Sequence, residues 1–387
     1  MRIPRTLALV LAGGKGSRLG CLTEDRPKPT LPVGGTYRLI DVSLSNLAHS
    51  HISQIGLVQQ YLPHPLNEYV SAGRPWDLDR NHGGLQVLPP FEGGPGEGFA
   101  EGNADAVHRQ REMIRSHDPE IVIVLSADHL YTMNFLDAIT THLDHEADLT
   151  IVTTQVDESA ARYGVVTVDN TGRVTKFDYK PDEPTSDLVT TEVFLYRTEV
   201  LLATLDRLHD ELGELGDYGE HLVPYLVENN TVVEHRHTGY WMDLGTLQSY
   251  WTANMHLVDG EGVTLDDPHW PIHSAQPQLP PARVVAGASV RDSLLASGAH
   301  VEGTVERSII GTGAVVEAGA TVRRSVVMDG ARIGPGVTLT NCIVTTGAQV
   351  SGGSHRGGED AVTVIGPNGL VADRTTLDED AALPTTI

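Results

Sequence analysis

Cysteine is nearly missing from this chain of 387 residues. The two present, Cys21 and Cys342, lie far apart in the sequence. No disulfide framework can be drawn from them, and a reducing cytoplasm is the default expectation. No run of apolar residues approaches the roughly 18 that a membrane-crossing helix needs. The N-terminal MRIPRTLALVLAGG has an apolar stretch, but it is short and runs straight into glycines, unlike a secretory signal. Basic residues are scarce: 27 Lys and Arg face 51 Asp and Glu, a net charge of −24. That balance argues against nucleic acid, which selects a basic face, and against an anionic membrane surface.

What basic charge exists is concentrated. Residues 1–40 hold seven basic groups (Arg2, Arg5, Lys15, Arg18, Arg26, Lys28 and Arg38) against Glu24 and Asp25. A basic segment in an acidic protein predicts a small polyanion as ligand. The apolar run TLALVLA at 6–12, ended by GGKGSRL, reads as a buried parallel strand turning into a helix. IVIVLSAD at 121–128 and LTIVTTQV at 149–156 read as further strands. Between them, Phe135, Ile139 and Leu143 fall on one helical face, with Leu136 close by. A hairpin turning at Asp169–Gly172 follows, then the strand VTTEVFLYR. Strands alternating with helices predict an α/β fold with a doubly wound, Rossmann-like domain over residues 1–255.

Residues 256–283, rich in Pro and turn formers, read as a linker. From there the period changes. Aliphatic residues recur every six positions at Ile310, Val316 and Val322, then Val327, Ile333 and Leu339, then Val344 and Val350. This spacing predicts a left-handed parallel β-helix of hexapeptide repeats over 284–350, each coil burying the aliphatic face of the next. Residues 351–387 lose the pattern and are assigned to a tail or cap. The flat end of such a stack needs a cover, which predicts a homodimer or homotetramer.

Two kinds of residue carry chemistry. Gly13, Gly14 and Gly16, between strand and helix, let backbone N–H groups approach phosphate oxygens. Their spacing is neither a dinucleotide fingerprint nor a Walker loop. Arg18 offers a planar fork for phosphate, and Lys28 is held in the stiff segment Arg26-Pro27-Lys28-Pro29. Asp128 follows an apolar strand, at the carboxyl end where α/β sheets bind ligands, and suits Mg²⁺. Asp243, in WMDLGT, is a second carboxylate of the same kind. His235 and His237 share one face of a strand and read as packing or surface histidines rather than a metal site.

The chain resembles the bacterial ADP-glucose pyrophosphorylases, within the sugar-nucleotide pyrophosphorylases. The resemblance is carried by LAGGKGSRL, RPKP, RLIDVSLSN, QQY, GNADAV, ADHLY, YGVV and WMDLGTLQSYWTAN, and by the linker pieces WPI and LPP. It implies that Gly13, Gly14 and Gly16 cradle a purine nucleoside triphosphate. By the same resemblance, Gln60 contacts the base, Asn103, Ala104 and Asp105 lie near the nucleotide, and Arg18 and Lys28 hold phosphates and stabilise the transition state. It also implies Mg²⁺ on Asp128 and Asp243, catalysis through Arg18, Lys28 and Asp128, and a sugar-phosphate site with Lys180 gripping the phosphate beside Gly164, Tyr179, Thr190 and Glu192.

Two departures from the family stand out. Tyr179-Lys180-Pro181 replaces Glu-Lys-Pro, and Thr190-Thr191-Glu192 replaces Ser-Met-Gly. The phosphate grip is kept while the hydroxyl readers change. This predicts an altered sugar or pseudo-sugar 1-phosphate, as in the branch of the family that uses valienol-type cyclitol phosphates with GTP in aminocyclitol antibiotic pathways. ADP-glucose synthesis from ATP and glucose 1-phosphate is the alternative. Asp25, where the family has an activator-binding Lys, predicts no activation by fructose 1,6-bisphosphate. A non-catalytic regulatory homologue would have lost the phosphate and metal residues, and all remain. An acyltransferase built on His300 of the β-helix would need an acyl-donor loop that is missing.

Overall fold

The run TLALVLA has no polar side chain except its first Thr, so it can only sit where both faces are covered. In the computed structural model it is the central strand of a nine-stranded sheet, and five of its seven residues are at most 1% exposed. The structure describes residues 4–14, 16–90, 92, 98–157, 159–351, 353–358 and 361–366. The strands of the first domain are β1 (Thr6–Ala12), β2 (Pro32–Val33), β3 (Tyr37–Arg38), β4 (Gln54–Gln59), β5 (Gly84–Leu88), β6 (Ile121–Ser126) and β7 (His129–Tyr131). They continue as β8 (Leu149–Gln155), β9 (Gly164–Val168), β10 (Val174–Tyr179), β11 (Leu188–Arg197), β12 (Val232–Arg236) and β13 (Trp241–Asp243). The helices are α1 (Leu39–His49), α2 (Pro63–Val70), α3 (Asn103–Arg109), α4 (Arg111–His117), α5 (Phe135–Asp144), α6 (Thr198–Leu212), α7 (Leu222–Asn229) and α8 (Leu247–Asp259).

The sheet runs β10-β9-β11-β6-β1-β4-β5, with β8 on β11 and β12 on β8. Strands β5, β4, β1 and β6 are parallel, while β11 enters antiparallel to both β6 and β8. The chain moves outward from β1 to β4 on one side and returns to β6 on the other. The carboxyl end of β1 is therefore a topological switch point, where a cleft opens between diverging loops. The predicted hairpin is β9–β10, its turn closed by Gly172 N–H on the Asp169 carbonyl at 3.1 Å. Helix α5 buries Phe135, Ala138, Ile139 and His142, and Leu143 is 38% exposed. A full turn is 3.6 residues, so positions eight apart drift off a narrow face, and His142 takes the place assigned to Leu143. It is accepted there because its Nδ1 pairs with Thr150 Oγ1 at 2.9 Å.

The second domain is three parallel sheets of five strands each, the geometry of a left-handed β-helix with hexapeptide repeats. Its short strands alternate. Ile310, Val327, Val344 and Ile365 point into the coil axis, while their neighbours Ile309, Val326, Ile343 and Val364 join the core of the first domain. Both faces of that sheet are thus apolar, and the two domains share a continuous interior. Polar contacts seal the edge: Trp251 Nε1–H donates to the Arg324 carbonyl at 2.8 Å, Arg307 pairs with Asp259 at 2.7 Å, and Arg38 pairs with Asp329. The stacking continues past Val350, through strands Ser354–Arg356 and Thr363–Ile365. The six-residue spacing breaks between them, which hides them from a periodicity reading. Of the segment assigned to a tail or cap, residues 367–387 lie outside the described residues. Among the described residues no helix is long and apolar enough to cross a membrane.

Candidate active site

The switch point holds a cavity of about 200 Å³. Its wall contains Gly13 and Gly14 after β1, Gln60 after β4, Ser126 and Asp128 at the end of β6, Lys28, Asn103, and Glu192. A Cβ at Gly13 would stand 2.4 Å from Gln60 Oε1, so the glycine is what lets the glutamine amide lie across the end of β1. Gly16 takes φ 62° and starts the single turn of 3₁₀ helix that carries Arg18.

The centre of the site is one ammonium between two carboxylates. Lys28 Nζ donates to Asp128 Oδ2 and to Asp243 Oδ1, at 2.9 Å each. Asp128 is placed by β6, and Asp243 by β13, which pairs with β7 so that Asp243 lies opposite His129. Ser126 donates to the other oxygen of Asp128. His129 Nε2 lies 3.4 Å from Asp128 Oδ1 and 3.8 Å from Asp243 Oδ1, and its Nδ1 is 3.2 Å from the Thr191 carbonyl. Burial disfavours charge on all three central groups, but their mutual attraction wins. Lys28 is pushed up against the loss of solvent by the two aspartates, and both aspartates are held below the usual carboxylate range by Lys28 and His129. A side chain at Gly245 would meet Asp243 Oδ2 at 2.8 Å and Arg18 Nη2 at 3.0 Å, which puts the Arg18 guanidinium beside the same carboxylate.

The two carboxylates fit a divalent cation. They converge on one point, that point already calls for positive charge, and their oxygens are the hard donors that Mg²⁺ prefers. Asp128, His129 and Asp243 each bring a ligand atom within 4.8 Å of the others.

The basic segment of the sequence is distributed rather than pooled. Arg5 pairs with Asp118 and Glu120, Arg26 with Asp25, and Arg38 with Asp329, so of the seven groups only Arg18 and Lys28 are placed at the cleft among the described residues. For Arg5 and Arg38 charge counting along the chain could not foresee this, because their acidic partners come from remote elements, whereas Arg26 is neutralised by its neighbour Asp25.

The acceptor side is built by β9, β10 and β11. Strand β11 slips register against β8 between Thr190 and Val193. Such a bulge re-aims a side chain. Here Glu192, with φ 58°, is turned into the cavity wall. Its backbone N–H donates to Thr190 Oγ1 at 3.1 Å. Burial first, then Asp128 and Asp243, raise its pKa, with His129 and Tyr218 opposing. Tyr179 Oη donates to Asp217 Oδ2 at 2.9 Å, and the exposed Lys180 holds its ammonium 4.5 Å from the Tyr179 ring centroid. Gly164, Tyr179, Lys180, Thr190, Asp243 and Arg18 are outside the cavity wall itself, as are Gly16, Ala104 and Asp105. Asp105 is buried, accepting from the Glu101 N–H and from Arg109 Nε at 3.1 Å each.

The sequence reading missed Asp217 and Tyr218, which also line the cavity. The turn that carries them clamps the start of α3. Asn103 N–H donates to Asp217 Oδ1 at 3.2 Å, Tyr218 N–H to Asn103 Oδ1 at 2.6 Å, and Ala104 N–H to the Gly216 carbonyl at 3.1 Å. The available signal was the close punctuation by Gly213, Gly216 and Gly219 between two helical stretches. His129 was missed because a histidine next to a chosen aspartate carries no spacing of its own. His235 and His237 are satisfied within the protein, by Thr141 Oγ1 and by the Tyr240 carbonyl.

Comparison with known proteins agrees with this geometry. Residues 7–260 match the family model described as nucleotidyl transferase, and residues 280–363 match the GlmU-like C-terminal hexapeptide model. The chain is 41% identical over 318 residues to the glucose-1-phosphate adenylyltransferase of Thermotoga maritima, covering 81% of this chain and 75% of the relative. It is 40% identical over 314 residues to that of Lachnospira eligens, covering 80% and 74%. It is 42% identical over 296 residues to that of Thermomicrobium roseum, covering 76% and 69%. With the switch-point cleft, the paired aspartates and the hexapeptide coils all in place, the chain belongs to the glucose-1-phosphate adenylyltransferase family and is a sugar-1-phosphate nucleotidyltransferase.

Proposed function

We propose that the enzyme transfers the nucleoside monophosphate of a purine nucleoside triphosphate to a pseudo-sugar 1-phosphate of the valienol type, with GTP as donor, and releases pyrophosphate. The observation that carries the altered acceptor is Glu192. A carboxylate on a bulge, in the left-handed region and facing two further carboxylates, costs stability, and its retention there is explained by contact with substrate. Tyr179, where the family has a charged hydroxyl reader, stands behind the cavity wall with its phenol donated to Asp217, which lines it.

In the reaction an oxygen of the acceptor's phosphate attacks the α-phosphorus. The new O–Pα bond forms as the Pα–O bond to the β-phosphate breaks, and pyrophosphate leaves with its electron pair. No protein nucleophile is needed, so catalysis rests on positioning and on charge. Arg18 and Lys28 neutralise the phosphates. Gly13 and Gly14 present backbone N–H groups, and Gln60 and Asn103 orient the nucleotide. Asp128 and Asp243 would hold Mg²⁺, which when bound neutralises phosphate charge as a hard Lewis acid. Lys28 is then the group that must exchange its carboxylate partners for phosphate oxygens.

The relatives favour a second reading, ADP-glucose synthesis from ATP and glucose 1-phosphate. Purified protein with Mg²⁺, assayed for pyrophosphate with ATP, GTP, UTP and dTTP against glucose, mannose and valienol 1-phosphates, separates them. A kcat/KM for ATP with glucose 1-phosphate equal to or above every other pair would reject the altered acceptor.

A further inference from the structure

We infer that Asp105, His108 and His209 form a second divalent-metal site, suited to Zn²⁺ and separate from the catalytic cavity, that ties α3 to α6. It does not depend on which acceptor the enzyme uses.

The sequence carries one four-residue pattern twice, Asp105-Ala106-Val107-His108 in α3 and Asp206-Arg207-Leu208-His209 in α6. Positions i and i+3 share a helical face, so each helix presents a carboxylate and an imidazole together. The two helices pack on each other and the two pairs meet. Asp105, His108 and His209 each bring a ligand atom within 4.8 Å of the others. Donors around one Zn²⁺ lie about 2.0–2.2 Å from the ion and hence roughly 3.4 Å apart, so at most about 1.5 Å of side-chain movement closes the set.

The surroundings of these side chains point to a ligand. His209 Nδ1 is buried and has no hydrogen-bond partner among the described residues, a cost that a metal ion removes. The His108 and His209 rings stand with centroids 4.5 Å apart at 33°, an arrangement that two imidazolium ions would resist. Burial first, then Arg111, lowers the pKa of His108, with Asp206 opposing. The neutral imidazole so favoured is the form that binds metal. Among the described residues Asp105 accepts from Arg109 Nε and from the Glu101 N–H, both on Oδ2, which leaves Oδ1 to ligate. Asp206 Oδ1 lies 3.2 Å from His108 Nε2, and its other oxygen is held by Arg115 Nη2 at 2.8 Å. A carboxylate on a histidine ring in this way fixes the orientation of a metal-bound imidazole. Two nitrogens and one oxygen are a donor set for Zn²⁺, whereas Mg²⁺ selects oxygen. None of the three ligands lines the catalytic cavity.

The test is Zn²⁺ binding by the untagged full chain, measured by calorimetric titration in excess Mg²⁺ and by thermal melts. The wild type is expected to bind one Zn²⁺ per chain with a Kd of about 10 µM or below, and to gain several degrees in Tm when Zn²⁺ is well above that Kd. Co²⁺ in its place should show the visible bands of a four-coordinate ion. His108→Gln and His209→Gln should each weaken binding by at least about 100-fold and erase the Tm gain, and Asp206→Asn should weaken it about tenfold. All three should keep kcat/KM with Mg²⁺ alone within about twofold of the wild type, because their side chains lie outside the cavity wall. Asp128→Asn should bind Zn²⁺ as the wild type does, which separates this site from the catalytic carboxylates. No Zn²⁺ bound by the folded wild type at about 100 µM, binding undiminished in both histidine variants, or binding lost in Asp128→Asn would each overturn the inference. Should the histidine variants fail to fold, the Co²⁺ spectrum of the wild type decides: the weak bands of a six-coordinate, all-oxygen ion would overturn it equally.

Discussion

Lys28 donates to Asp243 at 2.9 Å across 215 positions of sequence. Its second bond, to Asp128 at the same distance, makes the ammonium the only counter-charge in direct salt-bridge contact with both carboxylates among the described lysines and arginines. Two predictions follow from that geometry, and they differ. Asp128→Asn keeps shape and removes one charge. It should lower pyrophosphate release by about 10³-fold or more while leaving the fold intact, since interactions of this kind act on charge developing at phosphorus. A coupled pyrophosphate assay with circular dichroism checks both halves.

Lys28→Met leaves Asp128 and Asp243 facing each other in a buried site with their cation gone. Removing one partner of a buried ion pair costs about 3–5 kcal/mol, so Tm should fall along with activity. Added Mg²⁺ should recover part of the lost Tm but not the lost activity. A thermal melt of the variant with and without Mg²⁺ is the measurement. No recovery would show that the two carboxylates do not hold the ion.

A third prediction concerns pH. Asp41 sits fully buried at the start of α1, where it accepts from the Arg38 N–H at 2.9 Å and from Tyr69 Oη at 2.7 Å. Burial pushes its carboxyl up to about 7, with those hydrogen bonds opposing. The native state therefore holds a proton that the unfolded chain has already released. This contribution is fully present below about pH 4, where unfolded aspartate is also protonated, and is lost as pH rises through 7. Its size is at most roughly 4 kcal/mol, from about three pH units at 1.36 kcal/mol each. Tm measured across pH 4.5–8 should fall more steeply in the wild type than in Asp41→Asn. Parallel curves would sink the assignment.

The parts of this molecule that were legible in the sequence are those where one local pattern has one physical solution. A wholly apolar run before glycines must be a covered strand, so β1 and the loop at Gly13 and Gly14 could be placed, and an aliphatic residue every sixth position can only stack as coils. What was not legible depends on remote partners. Arg5 and Arg38 looked like part of a polyanion site until Asp118 and Asp329 met them. Asp217 and Tyr218 matter through Asn103 and Tyr179, which no spacing in the chain connects to them. The outward residues Ile309, Val326, Ile343 and Val364 could be predicted as aliphatic, but not as the seam between two domains.

That seam gives a fourth prediction. Arg38 and Asp329 pair with side chains 15% and 18% exposed, beside the β2–β3 hairpin. Asp329 Oδ1 also accepts from the Thr312 N–H at 3.2 Å. Asp329→Asn leaves the guanidinium half-buried without its anion, which should lower stability by about 1–3 kcal/mol, with KM values unchanged because the pair lies away from the cavity wall. A denaturant midpoint that shifts with no change in either KM confirms it. A rise in nucleotide KM would mean that the β-helix also sets the geometry of the cleft.

The final prediction tests the clamp on α3. Gly102 has φ 90° and ψ 171°, a region closed to residues with a side chain, and a Cβ there would stand 2.2 Å from the Gly216 carbonyl carbon. Gly102→Ala must therefore move α3, the 216–218 turn, or both. Asn103 at the start of α3 lines the nucleotide side of the cavity, and Tyr218 lines the same cavity as Glu192. A shift confined to α3 raises only the nucleotide KM. A shift shared through the hydrogen bonds of Asn103 raises the acceptor KM as well. Because four hydrogen bonds tie the two segments and a displacement of one alone would strain all of them, both KM values should rise, each by about tenfold, with Tm lower by several degrees. Initial-rate kinetics with each substrate varied in turn decides it: a rise in one KM only would show that the two subsites are held independently.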